Sequence, residues 1–277
     1  MLLINSSYVV VDCCQVTGVA ELNNNIYVAV DGSNQLRVFG SILFNRRENL
    51  VVTEMESPWE LTADLTYLYI ADRAGQCVWR VEVKGEEDSD AKEKIKVDKF
   101  VFEGHPWSLS VTETGQVHVV DWGEDELTIC SGQGERLEVI KLNDKGLSGT
   151  VHVMQTSPET FLVVHNDLVS LVNRKWKVLK QYGGSAAPVR LSAPRRLVEV
   201  SADGHKFVVD EERVLVFSPC LKLERTLVLC PSESENLRLG WLPRLYYSKS
   251  SGRLIVYWGG EYVWIYSVTS ETLTSIN

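Results

Sequence analysis

The sequence predicts an all-β fold, a six-bladed β-propeller of four-stranded antiparallel blades, and three observations carry that prediction. First, six times a short apolar strand ends in a polar turn and a second apolar strand follows. The copies read NIYVAVDGSNQLRVF (25–39), YLYIADRAGQCVWRV (67–81), QVHVVDWGEDELTIC (116–130), TFLVVHNDLVSLV (160–172), KFVVDEERVLVF (206–217) and RLIVYWGGEYVWIYSV (253–268). Second, their turn residues Asp31, Asp72, Asp121, His165, Asp210 and Trp258 lie roughly 41, 49, 44, 45 and 48 residues apart, a period in the mid-forties that belongs to propeller blades. Third, the copies alternate with period two and are rich in β-branched residues, while helical periodicity is essentially absent.

Reading between the copies supplies the other strands. In the second repeat PWELTAD (58–64) is a first strand, YLYIAD a second, CVWRVEV (77–83) a third and KVDKFVFE (96–103) a fourth. The third repeat runs PWSLSVT (106–112), VHVVD, LTICS and RLEVIKL (136–142), and the fifth runs PRRLVEVS (194–201), KFVVD, RVLVFS and KLERTLVL (222–229). Gly, Asp, Asn, Ser and Pro punctuate the junctions, as turns require. Blades are expected at about 17–57, 58–104, 105–146, 147–192, 193–236 and 237–268, one domain over 1–277. The sixth blade runs out of strand after YVWIYSV (262–268), so the strand at 7–13 is expected to complete it, closing the ring and protecting an edge.

Two segments break the pattern. GEEDSDAKEKIK (85–96) reads as a charged, solvated hairpin insertion. The strip 174–196 carries seven Lys or Arg and no acid. It reads as a solvated outer strand and connector or, through Arg174, Lys175, Lys177, Lys180 and Arg190, as a nucleic-acid strip.

Composition excludes several classes. Net charge is −9, which opposes general affinity for nucleic acid or an anionic membrane surface. No run of 18 or more apolar residues exists, so no membrane helix is expected, and MLLINSSYVVVDCC lacks the basic start of a signal peptide. The six cysteines (Cys13, Cys14, Cys77, Cys130, Cys220, Cys230) read as reduced thiols of a cytoplasmic protein. No His-x-His, His-Glu-x-x-His or paired Cys-x-x-Cys occurs, so no zinc site or other metal is expected. No phosphate-cradling glycine loop precedes a helix, and no cofactor is expected.

Four blades open on proline: Pro58-Trp59-Glu60-Leu61, Pro106-Trp107-Ser108-Leu109, Pro194-Arg195-Arg196-Leu197 and Pro243-Arg244-Leu245. With the tyrosine-containing strand that ends Ala71-Asp72, blade two resembles the NHL repeat, and blades three and five resemble it without the usual Asn after the Asp. Blades one and four lack the proline, and His165 and Trp258 replace the Asp. The resemblance implies a six-bladed propeller of the kind found at the C-terminus of tripartite-motif ubiquitin ligases, where such domains bind proteins or RNA. No RING, B-box or coiled-coil segment precedes it here, so a free-standing relative or an excised domain is expected.

In a propeller, the loops before each first strand and the turns between second and third strands share one face, called the upper face below. That face gathers Trp59, His105, Trp107, Arg195, Arg196, Trp241 and Arg244 from the blade starts. The turns add Arg73, Trp122, Glu124, His165, Glu211, Arg213 and Trp258. Aromatic and Arg side chains dominate binding hot spots, although Trp59 and Trp107 equally suit packing between blades. The sequence alone therefore reads as a non-enzymatic, monomeric propeller that recognises a protein or peptide through Arg73, Trp107, Trp122, His165, Arg195, Arg196, Arg244 and Trp258. RNA binding is the alternative, and a hydrolase or lyase with an unrecognised site the third reading. His118 and His152, inside strands, read as structural.

Overall fold

The computed structural model describes residues 2–12, 15–83, 96–102, 104–121, 123–185, 187–191, 194–199, 204–210, 213–228 and 243–269. The charged segment 85–96 therefore lies outside the described residues up to Lys96, as do Trp122, Glu211 and Trp241.

Strand β1 (Leu2–Val10) precedes blade one, which holds β2 (Val16–Leu22), β3 (Asn25–Val30), β4 (Gln35–Gly40) and β5 (Leu50–Val51). Blade two holds β6 (Pro58–Ala63), β7 (Tyr67–Asp72), β8 (Cys77–Glu82) and β9 (Val97–Val101). Blade three holds β10 (Pro106–Val111), β11 (Val117–Asp121), β12 (Glu126–Cys130) and β13 (Arg136–Lys141). Blade four holds β14 (Thr150–Ser157), β15 (Thr160–His165), β16 (Leu168–Asn173) and β17 (Val178–Gly183). Blade five holds β18 (Pro194–Glu199), β19 (Lys206–Asp210), β20 (Arg213–Phe217) and β21 (Leu223–Val228), and blade six β22 (Arg244–Ser248), β23 (Arg253–Tyr257) and β24 (Tyr262–Thr269). Each blade is an antiparallel sheet in chain order, and blade six is completed by β1 against β24. The two ends of the propeller thus close on each other, as the sequence predicts, with β1 starting five residues earlier than the apolar phrase suggested.

Why these segments pack as blades follows from which residues alternate. Both faces of each sheet are apolar, and neighbouring faces meet as six apolar clusters, one in each gap between adjacent blades. Leu61 and Trp79 meet Leu36 between blades one and two, and Phe161 stacks on Trp176 at 4.9 Å in the cluster between blades three and four. Tyr257 and Ile265 of blade six meet Val19 of blade one, which makes the closure apolar as well as hydrogen-bonded. Full burial of such side chains contributes about 1.5–3 kcal/mol each.

The turn aspartates act as ties. Asp72, fully buried, accepts hydrogen bonds from the backbone N–H of Glu56 and Ser57 and of Gly75, and from Trp79 Nε1, all at 2.9–3.0 Å. It thereby clamps the loop that leads into blade two onto that blade's own turn. Asp121 does the same with the N–H of His105 and Gly123. In blade one the register differs from the sequence alignment. Val30, opposite Val16, occupies the place that Asp72 holds opposite Pro58, and Asp31 falls one residue beyond it.

The innermost strands approach closely. A Cβ built on Gly18 would lie 2.6 Å from the Leu61 backbone nitrogen in blade two. Gly18→Ala is therefore expected to wedge two blades apart and lower the unfolding free energy by about 1–3 kcal/mol in urea titration. His118, buried beside Phe161 with no hydrogen-bond partner at Nδ1, has its pKa lowered from 6.5 to about 4 by burial. Between those two values the unfolded chain binds the extra proton, so stability is expected to fall as pH drops from about 6.5 towards 4. His118→Gln should flatten that limb of the pH–stability curve.

Candidate functional site

A single register position threads the six innermost strands. Gly18 lies opposite Ala29, Glu60 opposite Ala71, Ser108 opposite Val120, His152 opposite Val164, Arg196 opposite Val209 and Arg244 opposite Tyr257. These positions are equivalent by blade geometry, so they form one layer around the axis of the propeller. In five blades a β-bulge directly precedes the position, and the extra residues are Thr17, Trp59, Trp107, Val151 and Arg195. A bulge re-aims a side chain and interrupts pairing.

Within this layer neighbouring blades join through polar groups. Ser108 Oγ is hydrogen-bonded to His152 Nδ1, both residues being buried. One turn of the ladder lower, Ser110 Oγ donates to the Val153 carbonyl at 2.7 Å. Glu60 and Arg244, also buried, belong to the same layer. A propeller core filled by leucine would need none of these groups, and burying them carries a desolvation cost. A hydroxyl held against an imidazole, with a carboxylate and guanidinium in the same layer, is an arrangement suited to moving protons.

Above this layer the channel is roofed by aromatic rings. Trp59 and Trp107 pack with centroids 4.9 Å apart. Arg73 lies over both, 5.2 Å from Trp59 and 5.6 Å from Trp107, while Arg244 reaches from blade six to lie 5.1 Å over Trp59. Blade one stands between those two strands in the circle, so the Arg244 side chain crosses the axial opening.

Below the layer, a cavity of about 840 Å³ opens at the opposite, lower face, among the turns between first and second strands. Tyr67, Tyr246, Tyr247 and Met154 give it apolar wall, and Thr62, Ser110 and Thr112 give it hydroxyls. Of the polar layer, His152 is the residue that lines it. Glu113 and Lys249, from the opposed blades three and six, meet across its mouth as an exposed ion pair at 3.2 Å. Glu21 at the wall accepts from Ser251 Oγ at 2.6 Å. A cavity of this size suits a drug-sized ligand.

The sequence-derived contact residues separate into three groups. Arg73, Trp107 and Arg244 come together with Trp59 at the upper end of the channel. Arg195 and Arg196 stand on the first strand of blade five, described by their register alone. Trp258 and His165 do not present themselves to a partner. Trp258 packs between blades five and six with its ring buried, because the turn position it inherits from Asp72 points inward. His165 is buried for the same reason, its Nε2 hydrogen-bonded to Ser170 Oγ at 2.8 Å. Arg174, Lys175, Lys177 and Lys180 are exposed on the third-to-fourth turn and outer strand of blade four, and Arg190 on the connector beyond it. That strip is remote from the axis. Sequence reasoning gave Ser108 no role and read His152 as structural; the only signal that joins them is that each stands two residues past the start of a first strand.

Among the described residues no group of three or more His, Cys, Asp and Glu side chains is placed to hold a metal ion. No described helix is long and apolar enough to cross a membrane. Cys77 and Cys130 are free and buried, and burial, with Asp72 adding, pushes the Cys77 thiol up to about 12.

No family model and no curated protein matches the sequence. Solved structures do match. A streptogramin B lyase superposes with a TM-score of 0.63 at 10% identity, over 96% of this chain and 88% of that one. The selenomethionine-substituted virginiamycin B lyase from Staphylococcus aureus gives 0.59 at 9% identity, over 96% and 89%. These matches correct the expectation of a non-enzymatic recognition module, since both of these structures are named as lyases. At such identities the likeness is one of architecture: this chain is a six-bladed β-propeller, a scaffold on which lyases are also built.

Proposed function

We propose that the protein is an enzyme of the lyase type, with His152 as its acid–base residue at the inner end of the lower cavity. The observation that carries this reading is the buried Ser108–His152 hydrogen bond in the axial layer, with His152 also forming part of the cavity wall. Ser108 at Nδ1 orients the ring, and a ligand at the inner end of the cavity would exchange a proton with the imidazole on reaching the buried Nε2. The tyrosines of the wall would hold the apolar body of that ligand. The names of the solved propellers add support for a lyase over a hydrolase. The NHL-like phrase enters the proposal as scaffold: its proline and aspartate build the blade starts, as Pro58 and Asp72 show.

The test is incubation with a panel that begins with streptogramin B, the compound named for one solved propeller, and continues through simple esters and cyclic peptides. Products whose masses sum to that of the substrate indicate a lyase. A gain of one water indicates a hydrolase at the same site, and an untouched panel contradicts the proposal.

A further inference from the structure

The upper end of the channel carries a second feature that the acid–base reading does not use. Arg73 is exposed, yet its guanidinium is held over two indoles rather than extended into water. It forms no ion pair with a described carboxylate, and its neighbour Asp72 is already engaged by four donors. The backbone of Arg73 is anchored as well: its N–H donates to the Ser57 carbonyl at 3.0 Å, and its own carbonyl faces His105 Nδ1 at 3.3 Å.

Stacking on aromatic rings uses the faces of a guanidinium. Its five N–H donors lie in the plane, so a stacked arginine keeps its forked edge available for a planar or tetrahedral oxyanion. The Trp59–Trp107 pair restricts that fork before any ligand arrives, which reduces the ordering that binding requires. Arg244 brings a second positive charge over the same Trp59 ring. This is a concentration of positive charge at one axial position in a chain of net charge −9. The mechanism proposed above does not require it, since His152 is reached from the opposite face.

We infer that the Arg73–Trp59–Trp107 cluster is a binding site for the oxyanion group of a small molecule, a carboxylate or a phosphate, at the upper mouth of the channel. Arg73 supplies the forked hydrogen bonds, the two indoles set its orientation, and Arg244 adds positive potential from within the channel. The shared chemistry is that of a compact anion with two oxygens able to meet one guanidinium.

Isothermal calorimetry with inorganic phosphate and, separately, with oxalate tests this at constant ionic strength maintained by sodium chloride. The expected result is saturable binding of at least one anion, weakened at least tenfold by Arg73→Gln and unchanged by Arg174→Gln on the outer rim. The phosphate and oxalate arms distinguish a phosphoryl from a carboxylate ligand. Arg73 is exposed, and the melting temperature of Arg73→Gln reports that the variant is folded. Absence of saturable binding by either anion, or equal binding by folded Arg73→Gln, overturns the inference. Neither result bears on turnover at His152, so the two proposals fail separately.

Discussion

Asp72→Ala is expected to lower the unfolding free energy by about 3–5 kcal/mol, measured by urea titration at neutral pH. The carboxylate is fully buried and gathers three backbone N–H groups and the Trp79 indole. Alanine would leave the indole donor without a partner inside an apolar cluster and release the loop that leads into blade two. A buried donor left unsatisfied costs about 1–3 kcal/mol, and charged acceptors make the stronger bonds. Asp72→Asn keeps the shape but presents an NH₂ to groups that are all donors, so it should recover only part of the loss. Burial alone raises the Asp72 pKa, but the indole and the Glu56, Ser57 and Gly75 amides outweigh it, leaving the carboxyl below its usual 3.8. The stability it contributes is thus present above pH 3.8 and lost as pH falls through the lower folded-state value. Wild-type stability should therefore fall as pH drops below about 3.8, while the Asp72→Ala curve should lie lower at neutral pH and lack that limb.

The architecture was legible because the repeat writes it several times over. Strand phrases, turn residues and the blade-six deficit each pointed to the same ring, and β1 closes it against β24. The site was less legible, for a reason visible in the register. A bulge before Glu60, Ser108, His152 and Arg196 shifts each first strand by one residue, so the axial layer cannot be found by simple alternation. His152 inside an apolar strand looks the same on paper as His118, yet one lines a cavity and the other is sealed beside Phe161. Trp258 and His165 misled in the opposite direction. Their departure from aspartate marked them as distinctive, but the position faces the blade interior, where the difference is absorbed by packing.

His152→Gln is expected to lower kcat by about 10²–10⁴-fold, the range by which a positioned acid–base group accelerates proton transfer. Glutamine preserves much of the ring's length and can still bond to Ser108, so the fold should tolerate it while the exchangeable ring nitrogen is lost. Ser108→Ala should cost less, on the order of tenfold, because it removes the orienting hydroxyl and leaves the imidazole in place. A positioning role for Ser108 predicts that its loss falls mainly on kcat and alters the pH profile, whereas loss of a wall contact would fall on KM. Tyr246→Phe offers the contrasting case. The Tyr246 hydroxyl donates to the Glu21 carbonyl at 3.2 Å, so its removal should loosen the cavity wall without touching the acid–base pair.

The most direct test of the central claim is the ratio of turnover by wild type and by His152→Gln on the member of the panel that wild type cleaves, with equal melting temperatures confirming that both are folded. The proposed acid–base role of His152 predicts a ratio of about 100 or more, with wild-type products summing to the mass of the substrate. Equal turnover by the two proteins would contradict it.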